Sequence, residues 1–580
     1  MKRITTKINE HYFHAILFYV FLAANLTPLF FTYFVGSLDG PKHLQIANII
    51  TELWKGNDLF ADYFELSPKY TANIFGHYFL ASLMMGLPAW LAEKLLLSFY
   101  VILLATGLRY LIFSITKKPG YSYFLIFPLT YTSLFLMGYY NYSIAFGFLF
   151  FSVGYYIRNY SNMSWLRVIK LMVLILLTYY THFFVYGFLI FTLGAYTLHD
   201  IFICYLKRGK IEMKPIINKL KKLVLAALPT LILSVAYLKL ILEQPTSDGG
   251  NEFNRWAYLS EFRILMGFVP SEELPMTRFL FWVILILVLY IAGTLLFKYI
   301  RTKQASLNFN VFHFEKLFWG FMVFTFFGFY FLMPNNLNSS GNILPRILIM
   351  ALYLLLVWLS IYKTNFLVNL SVIVAILYYT STNYSIHVKY RQQLDKIITE
   401  LKIIEDVIPS NSIIMNCNYL DSWNMYHFQS YIGIDKPLLN INSKAISPLF
   451  SVKWREDRPQ TFIGAKYSDS FSSYMNLPNV KGTAFAEYVT VVGKWRFENL
   501  SNDDSFKSLI LRDYIKCKDV ENPIVELYSL RIEEDLQVIM DRIKKDKELV
   551  RRFKESEKVT KVPFEDFVLR ESIWIYEKNK

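Results

Sequence analysis

Cysteine is scarce in this sequence, and the three present (Cys204, Cys417 and Cys517) show neither CxxC spacing nor a metal-ligand pattern. A zinc ribbon and a disulfide framework are excluded. Only a Cys417–Cys517 pair stays open, and Cys204 ends an apolar run and reads as inert. There is no glycine-rich phosphate loop, Walker sequence, HExxH or GxSxG, so the usual signatures of nucleotide hydrolases, zinc proteases and serine hydrolases are missing. Internal repeats and low-complexity linkers are missing too. Charge is thin: 18% of residues, against about a quarter in soluble proteins. Most of that charge lies in the last third of the chain.

What fills the space is apolar. Hydrophobic residues make up 54%, aromatics 18%, and mean hydropathy is +0.32. The excess is concentrated before residue 387, in repeated runs near the ~20 residues that cross a bilayer. Candidate spans are 13–35, 71–87, 92–115, 121–137, 142–157, 167–181, 183–205, 223–242, 279–297, 317–333, 346–362 and 365–385. The basic start, Met1-Lys2-Arg3 to Lys7, runs into the first of these without a small-residue cleavage site and reads as an uncleaved span. The expected fold is an α-helical polytopic membrane protein of about 11–13 transmembrane helices (residues 1–386), with a first outer loop at 36–70. Residues 387–580 have globular composition and are expected to form a soluble α/β or α+β domain. A helical pattern at 390–408 leads there to strands at Ile413-Ile414-Met415, 488–492 and 509–511, and then to a charged helix at 533–558.

The formal net charge of +15 sits in short loops between apolar runs, which argues for topology and against a nucleic-acid partner. Loops 207–222 and 298–316 are rich in Lys and Arg and are expected on the cytoplasmic side. Counting from them places Asp39, loop 334–345 and the C-terminal domain outside. The counts meet if 71–87 and 92–115 together make one net crossing, so one of the two is re-entrant. The richness in Lys, Asn, Tyr and Phe suggests an AT-rich bacterium, hence a bacterial inner membrane.

The first outer loop opens Gly36-Ser37-Leu38-Asp39-Gly40-Pro41-Lys42-His43. Pro41 suits a helix start. Ile46, Ile50 and Leu53 then share one side, with Lys42, Gln45, Asn48 and Glu52 elsewhere, the pattern of an amphipathic helix lying in the membrane surface. Asp39 has two readings. It caps this helix, or it accepts a proton from a hydroxyl nucleophile at the lipid–water boundary, with His43 one turn on.

Asp39, Ala47, Gly56-Asn57-Asp58 and the polar loop through Pro68 resemble the first-loop pattern of GT-C integral membrane glycosyltransferases, among them protein mannosyltransferases and lipid A aminoarabinose transferases. The likeness in plan covers nearly the whole chain; in residues it covers about 39–73. It implies transfer of a sugar from a polyprenyl-phosphate carrier to an acceptor on the outer face, with Asp39 as general base. Sugar transfer builds positive charge at the anomeric carbon and frees an anionic phosphate, so cations are needed at that phosphate. Many members carry a second acid on the next outer loop, whereas the tip here is Gly138-Tyr139-Tyr140-Asn141-Tyr142. Asn141 can hydrogen-bond a substrate but cannot act as a base, so metal-independent action without a cofactor is expected. Polar groups at membrane depth are costly and mark further candidates. These are His182, against a role as a core histidine, and Arg346, as a phosphate clamp or a snorkelling side chain. Arg109 and His77 read as structural. Asp421 and His427 in the C-terminal domain are candidates for acceptor choice. Two other classes compete: a transporter or flippase of a lipid-linked glycan, and a non-catalytic envelope assembly protein.

Overall fold

The computed structural model describes residues 2–580 apart from 118, 209–212, 244–252, 302–310, 337–340, 444–445, 447–448, 464–482, 502–503, 519–520, 532–539, 542, 561–562, 566, 569 and 573–580. Parts of the basic loops 207–222 and 298–316, the middle of loop 334–345, and the start of the expected helix at 533–558 therefore lie outside the described residues. In chain order the helices are α1 (Lys2–Leu26), α2 (Gly40–Lys55), α3 (Asp58–Tyr63), α4 (Phe75–Met84), α5 (Ala89–Ile115), α6 (Ser133–Leu136), α7 (Tyr140–Asn159), α8 (Trp165–Thr181) and α9 (Phe183–Arg208). They continue with α10 (Met213–Leu242), α11 (Arg255–Ser260), α12 (Pro270–Arg301), α13 (Val311–Leu332), α14 (Ile343–Ser360) and α15 (Phe366–Val407), and shorter helices follow at Lys494–Glu498, Ser505–Asp513 and Lys547–Thr560. The strands are β1 (Phe64–Leu66), β2 (Ile413–Asn418), β3 (Leu439–Asn440), β4 (Val452–Trp454), β5 (Gln460–Phe462), β6 (Thr483–Phe485), β7 (Tyr488–Val492), β8 (Tyr514–Lys516) and β9 (Val525–Leu530).

Two compact units emerge. The first comprises Met1–Val35, Lys69–Gly76 and Glu93–Gln392; the second comprises Gly36–Pro68, His77–Ala92 and Gln393–Lys580. The first unit is helical. Among the described residues seven helices are long and apolar enough to cross a membrane: Tyr12–Phe30, Ala89–Ile115, Phe183–Tyr205, Ile216–Leu242, Pro270–Phe297, Ile343–Ser360 and Phe366–Val407. The chain is thus a helical multi-pass membrane protein. Expected spans 142–157, 167–181 and 317–333 are helical as α7, α8 and α13 without belonging to those seven.

Two expected spans are corrected. In 71–87 the helix is α4, of 10 residues, about 15 Å long against a hydrocarbon core of roughly 30 Å. Segment 121–137 is a 3-10 turn (Tyr121–Ile126) and the one-turn α6, joined by irregular chain containing Pro128. Proline removes a donor and breaks the helix. Residues 122–136 are nonetheless all buried. Irregular backbone at membrane depth is tolerated only where protein covers it and answers its polar groups. Neighbouring tyrosines do so: Tyr100 Oη donates to the carbonyl of Thr130 (2.7 Å) and Tyr353 Oη to that of Leu129 (3.3 Å), while the segment's own Tyr131 Oη donates to the carbonyl of Asn25 on α1 (2.6 Å). α14, aliphatic on nearly every side, is buried along most of its length, as a helix apolar all round must be. α5 and α7 approach at Gly107 and Gly147, where a Cβ on Gly147 would stand 2.5 Å from Leu103 Cγ. Small residues permit such contact between membrane helices.

The second unit contains a five-stranded mixed sheet of order β3-β2-β7-β9-β8, with β2 parallel to β3 and β7, and β9 antiparallel to β7 and β8. The strands expected at 413–415 and 488–492 lie in β2 and β7. The one expected at 509–511 is instead in a helix, Ser505–Asp513, because Asp504 caps it, accepting from the Lys507 N–H at 2.8 Å. The pattern at 390–408 belongs to the 42-residue α15, continuous with expected span 365–385. The first loop joins this unit through antiparallel pairing of β1 with β4.

Candidate functional site

The chain reaches Asp39 through Gly36, whose φ of +66° and absent Cβ, which would meet Leu394 Cβ at 2.9 Å, both call for glycine. Asp39 occupies the N-cap position of α2, yet its carboxylate makes no capping bond. Ser37 Oγ caps instead, accepting from the Gly40 N–H at 3.0 Å. The Asp39 carboxylate stands 3.3 Å from Lys42 Nζ and 3.6 Å from His427 Nε2, and its side chain is 22% exposed. His427 follows a turn pinned from β2: Asn418 Nδ2 donates to the carbonyl of Met425 (2.8 Å) and Asn416 Nδ2 to that of Gln429 (3.1 Å). The cap reading of Asp39 is set aside by this geometry.

The helix that follows is not the surface helix expected. Residues Gly40, Pro41 and Leu44–Glu52 are buried, and two of the polar positions serve the C-terminal segment. Asn48 Nδ2 donates to the carbonyl of Gly433 (2.7 Å), and Gln45 Oε1 accepts from Ser443 Oγ (2.8 Å). Glu52 accepts from Asn57 Nδ2 (3.0 Å). His43 Nδ1 meets His77 Nε2 at 2.7 Å, and His77 Nδ1 meets Ser451 Oγ at 2.7 Å. Burial, then the neighbouring His43, holds His77 well below the ordinary histidine pKa. His77, read from sequence as structural, and Ser451, not singled out at all, thus join the neighbourhood of His43.

The remaining candidates belong to the first unit. Asn141 was expected to bond a substrate, but its amide is engaged by main chain: Oδ1 accepts from the Gly76 N–H (2.7 Å) and Nδ2 donates to the carbonyl of Asn73 (2.6 Å). Arg346 lies against aromatic rings, 5.3 Å from Tyr139, 5.9 Å from Tyr142 and 5.9 Å from Phe184. His182 meets the same Tyr142 edge-on at 5.2 Å. Arg346 Nε and His182 Nδ1 are buried without a hydrogen-bond partner among the described residues. Arg109 stacks on Phe18 (4.6 Å) and Phe113 (5.3 Å), a packing role. Asp421 pairs with Arg496. Cys417 and Cys517 are both free thiols, and burial pushes the Cys417 thiol up to about 12. Among the described residues no three His, Cys, Asp or Glu side chains converge as metal ligands.

No family model matches the sequence, and no curated protein matches it.

Proposed function

We propose that this protein is a membrane glycosyltransferase of GT-C type. It moves a sugar or glycan from a polyprenyl-phosphate-type carrier to an acceptor on the extracytoplasmic face of a bacterial inner membrane. The observation that carries the reading is the Asp39 carboxylate: it sits where a helix cap belongs, leaves capping to Ser37, and stays partly exposed beside Lys42 and His427. Asp39 takes the proton of the acceptor hydroxyl as its oxygen bonds to the anomeric carbon. The bond from that carbon to the carrier phosphate breaks, and the phosphate departs with the electron pair. Within the first unit, Arg346 presents a guanidinium fork of the kind that matches phosphate oxygens, and its Nε and His182 Nδ1 are buried without a hydrogen-bond partner among the described residues.

The test is Asp39→Asn in cells whose surface glycans are profiled. Loss of one glycan product at normal protein abundance is expected, with transfer reduced on the order of 10²–10⁴-fold. Unchanged glycans overturn the reading and leave the flippase and assembly-protein classes standing.

A further inference from the structure

Four helix ends of the first unit are laced together by polar side chains. α7 ends at Asn159, α8 begins at Trp165, α9 ends at Arg208 and α10 begins at Met213. Lys222 Nζ of α10 donates to the carbonyl of Met163 in the α7–α8 turn (2.6 Å), and Arg167 of α8 donates to that of Asn162. Asp200 of α9 accepts from Lys219 Nζ (2.9 Å) and from Tyr160 Oη (3.0 Å), and the same ammonium lies 4.1 Å from the Tyr160 ring. The start of α10 is thereby held against the turn between α7 and α8.

Positive charge is in surplus at this end. Arg158 on α7, Lys170 on α8 and Lys221 on α10 are all exposed, and none belongs to an ion pair among the described residues. The one acidic side chain described on these helix ends, Asp200, is already paired with Lys219. Topology alone accounts for cations beside spans, but not for the surface that leads away from these. On α10, Leu220, Val224, Leu228, Leu231 and Val235 are exposed, spaced three or four residues apart on one face of a helix long and apolar enough to cross a membrane. Lys221 falls on that face near its start. On α8, Leu166, Ile169 and Val173 are exposed in the same rhythm, with Lys170 among them and an exposed Trp165 opening the helix. Tryptophan favours the headgroup level of a bilayer, and a lysine lays its stem on apolar surface while its ammonium reaches that level.

We infer that this end of the bundle is a binding site for an anionic phospholipid. The surplus charge of Arg158, Lys170 and Lys221 draws the headgroup phosphate, and the acyl chains lie along the exposed apolar faces of α8 and α10. A free phosphate uses the cations and leaves those faces uncovered. A zwitterionic lipid covers the faces but brings a cation of its own to the same charges. A lipid of net negative charge answers both. Each Lys or Arg near a bilayer surface strengthens such binding about fivefold. The inference needs only that these helices meet lipid, and it stands or falls apart from the glycosyl-transfer reading.

The experiment uses the full-length protein in detergent with equimolar phosphatidylglycerol and phosphatidylcholine of identical chains, and native mass spectrometry counts the lipids retained. Preferential retention of phosphatidylglycerol is expected, weakening with added salt. In the triple variant Arg158→Gln, Lys170→Gln, Lys221→Gln the affinity for phosphatidylglycerol is expected to fall on the order of 10²-fold, with phosphatidylcholine retention unchanged. Arg551→Gln, Lys554→Gln and Lys558→Gln together remove the same charge from the helix Lys547–Thr560 of the second unit and are expected to leave the preference intact. Should the triple variant fail to fold, Lys170→Gln and Lys221→Gln taken singly carry the comparison, at about fivefold each. Glycerophosphoglycerol and inorganic phosphate, which lack acyl chains, are expected not to displace the lipid. Equal retention of the two lipids, a preference that survives the triple variant, or an equal loss in the second-unit control overturns the site. Displacement by inorganic phosphate at the lipid's own concentration overturns the lipid as its occupant.

Discussion

A carboxylate in the first turn of a helix usually answers an unpaired N–H, and here a serine two residues earlier has taken that work. Ser37→Ala is expected to cost about 1 kcal/mol as the cap is lost. Asp39→Asn, which breaks only a partly exposed pairing, should leave stability within about 0.5 kcal/mol. Thermal unfolding of both variants in detergent checks the contrast. His77 adds a pH dependence. Its folded-state pKa lies well below the unfolded 6.5, so below about pH 6.5 the unfolded chain binds a proton that the folded ring refuses. The stability gained from the neutral ring is present above that pH and is lost as pH falls. His77→Gln is expected to flatten this part of the profile of melting temperature against pH. Asp39 and His43 were legible in the sequence because they share one short polar motif. His77 was not: it is a lone polar residue in an apolar run, and Ser451, which gives it meaning, lies 374 residues away.

Elements were legible where periodicity and length agreed. The seven spans follow from apolar runs alone, whereas α4 and segment 121–137 show the same composition and do not make spanning helices. Composition reports that a stretch avoids water; it does not report whether lipid or protein provides the shelter. α2 misled for a related reason, since Asn48 and Gln45 answer Gly433 and Ser443 of the C-terminal segment and not solvent. Tyr100→Phe should cost about 1–3 kcal/mol by stranding the Thr130 carbonyl in a buried segment. Gly147→Val, which forces α5 and α7 apart against Leu103, should cost a similar ~1–3 kcal/mol. Denaturation in mixed detergent measures both.

At the scale of the molecule the division of the chain departs from a simple cut between a membrane part and a C-terminal part. Gly36–Pro68 and His77–Ala92 belong with Gln393–Lys580, so the loop that carries Asp39 depends on sequence made hundreds of residues later. A chain ended at Gln392 is expected to expose the 40–55 region to protease while α5 and α7 stay protected, because Gln45, Asn48 and His77 lose their partners at Ser443, Gly433 and Ser451. The buried irregular segment has the same dependence in its synthesis. Its carbonyls are met partly by Tyr100, already translated, and partly by Tyr353, which follows Leu129 by 224 residues. Until α14 leaves the ribosome this stretch has no finished shelter, so a nascent chain stalled before α14 presents quality-control proteases with an unsealed core.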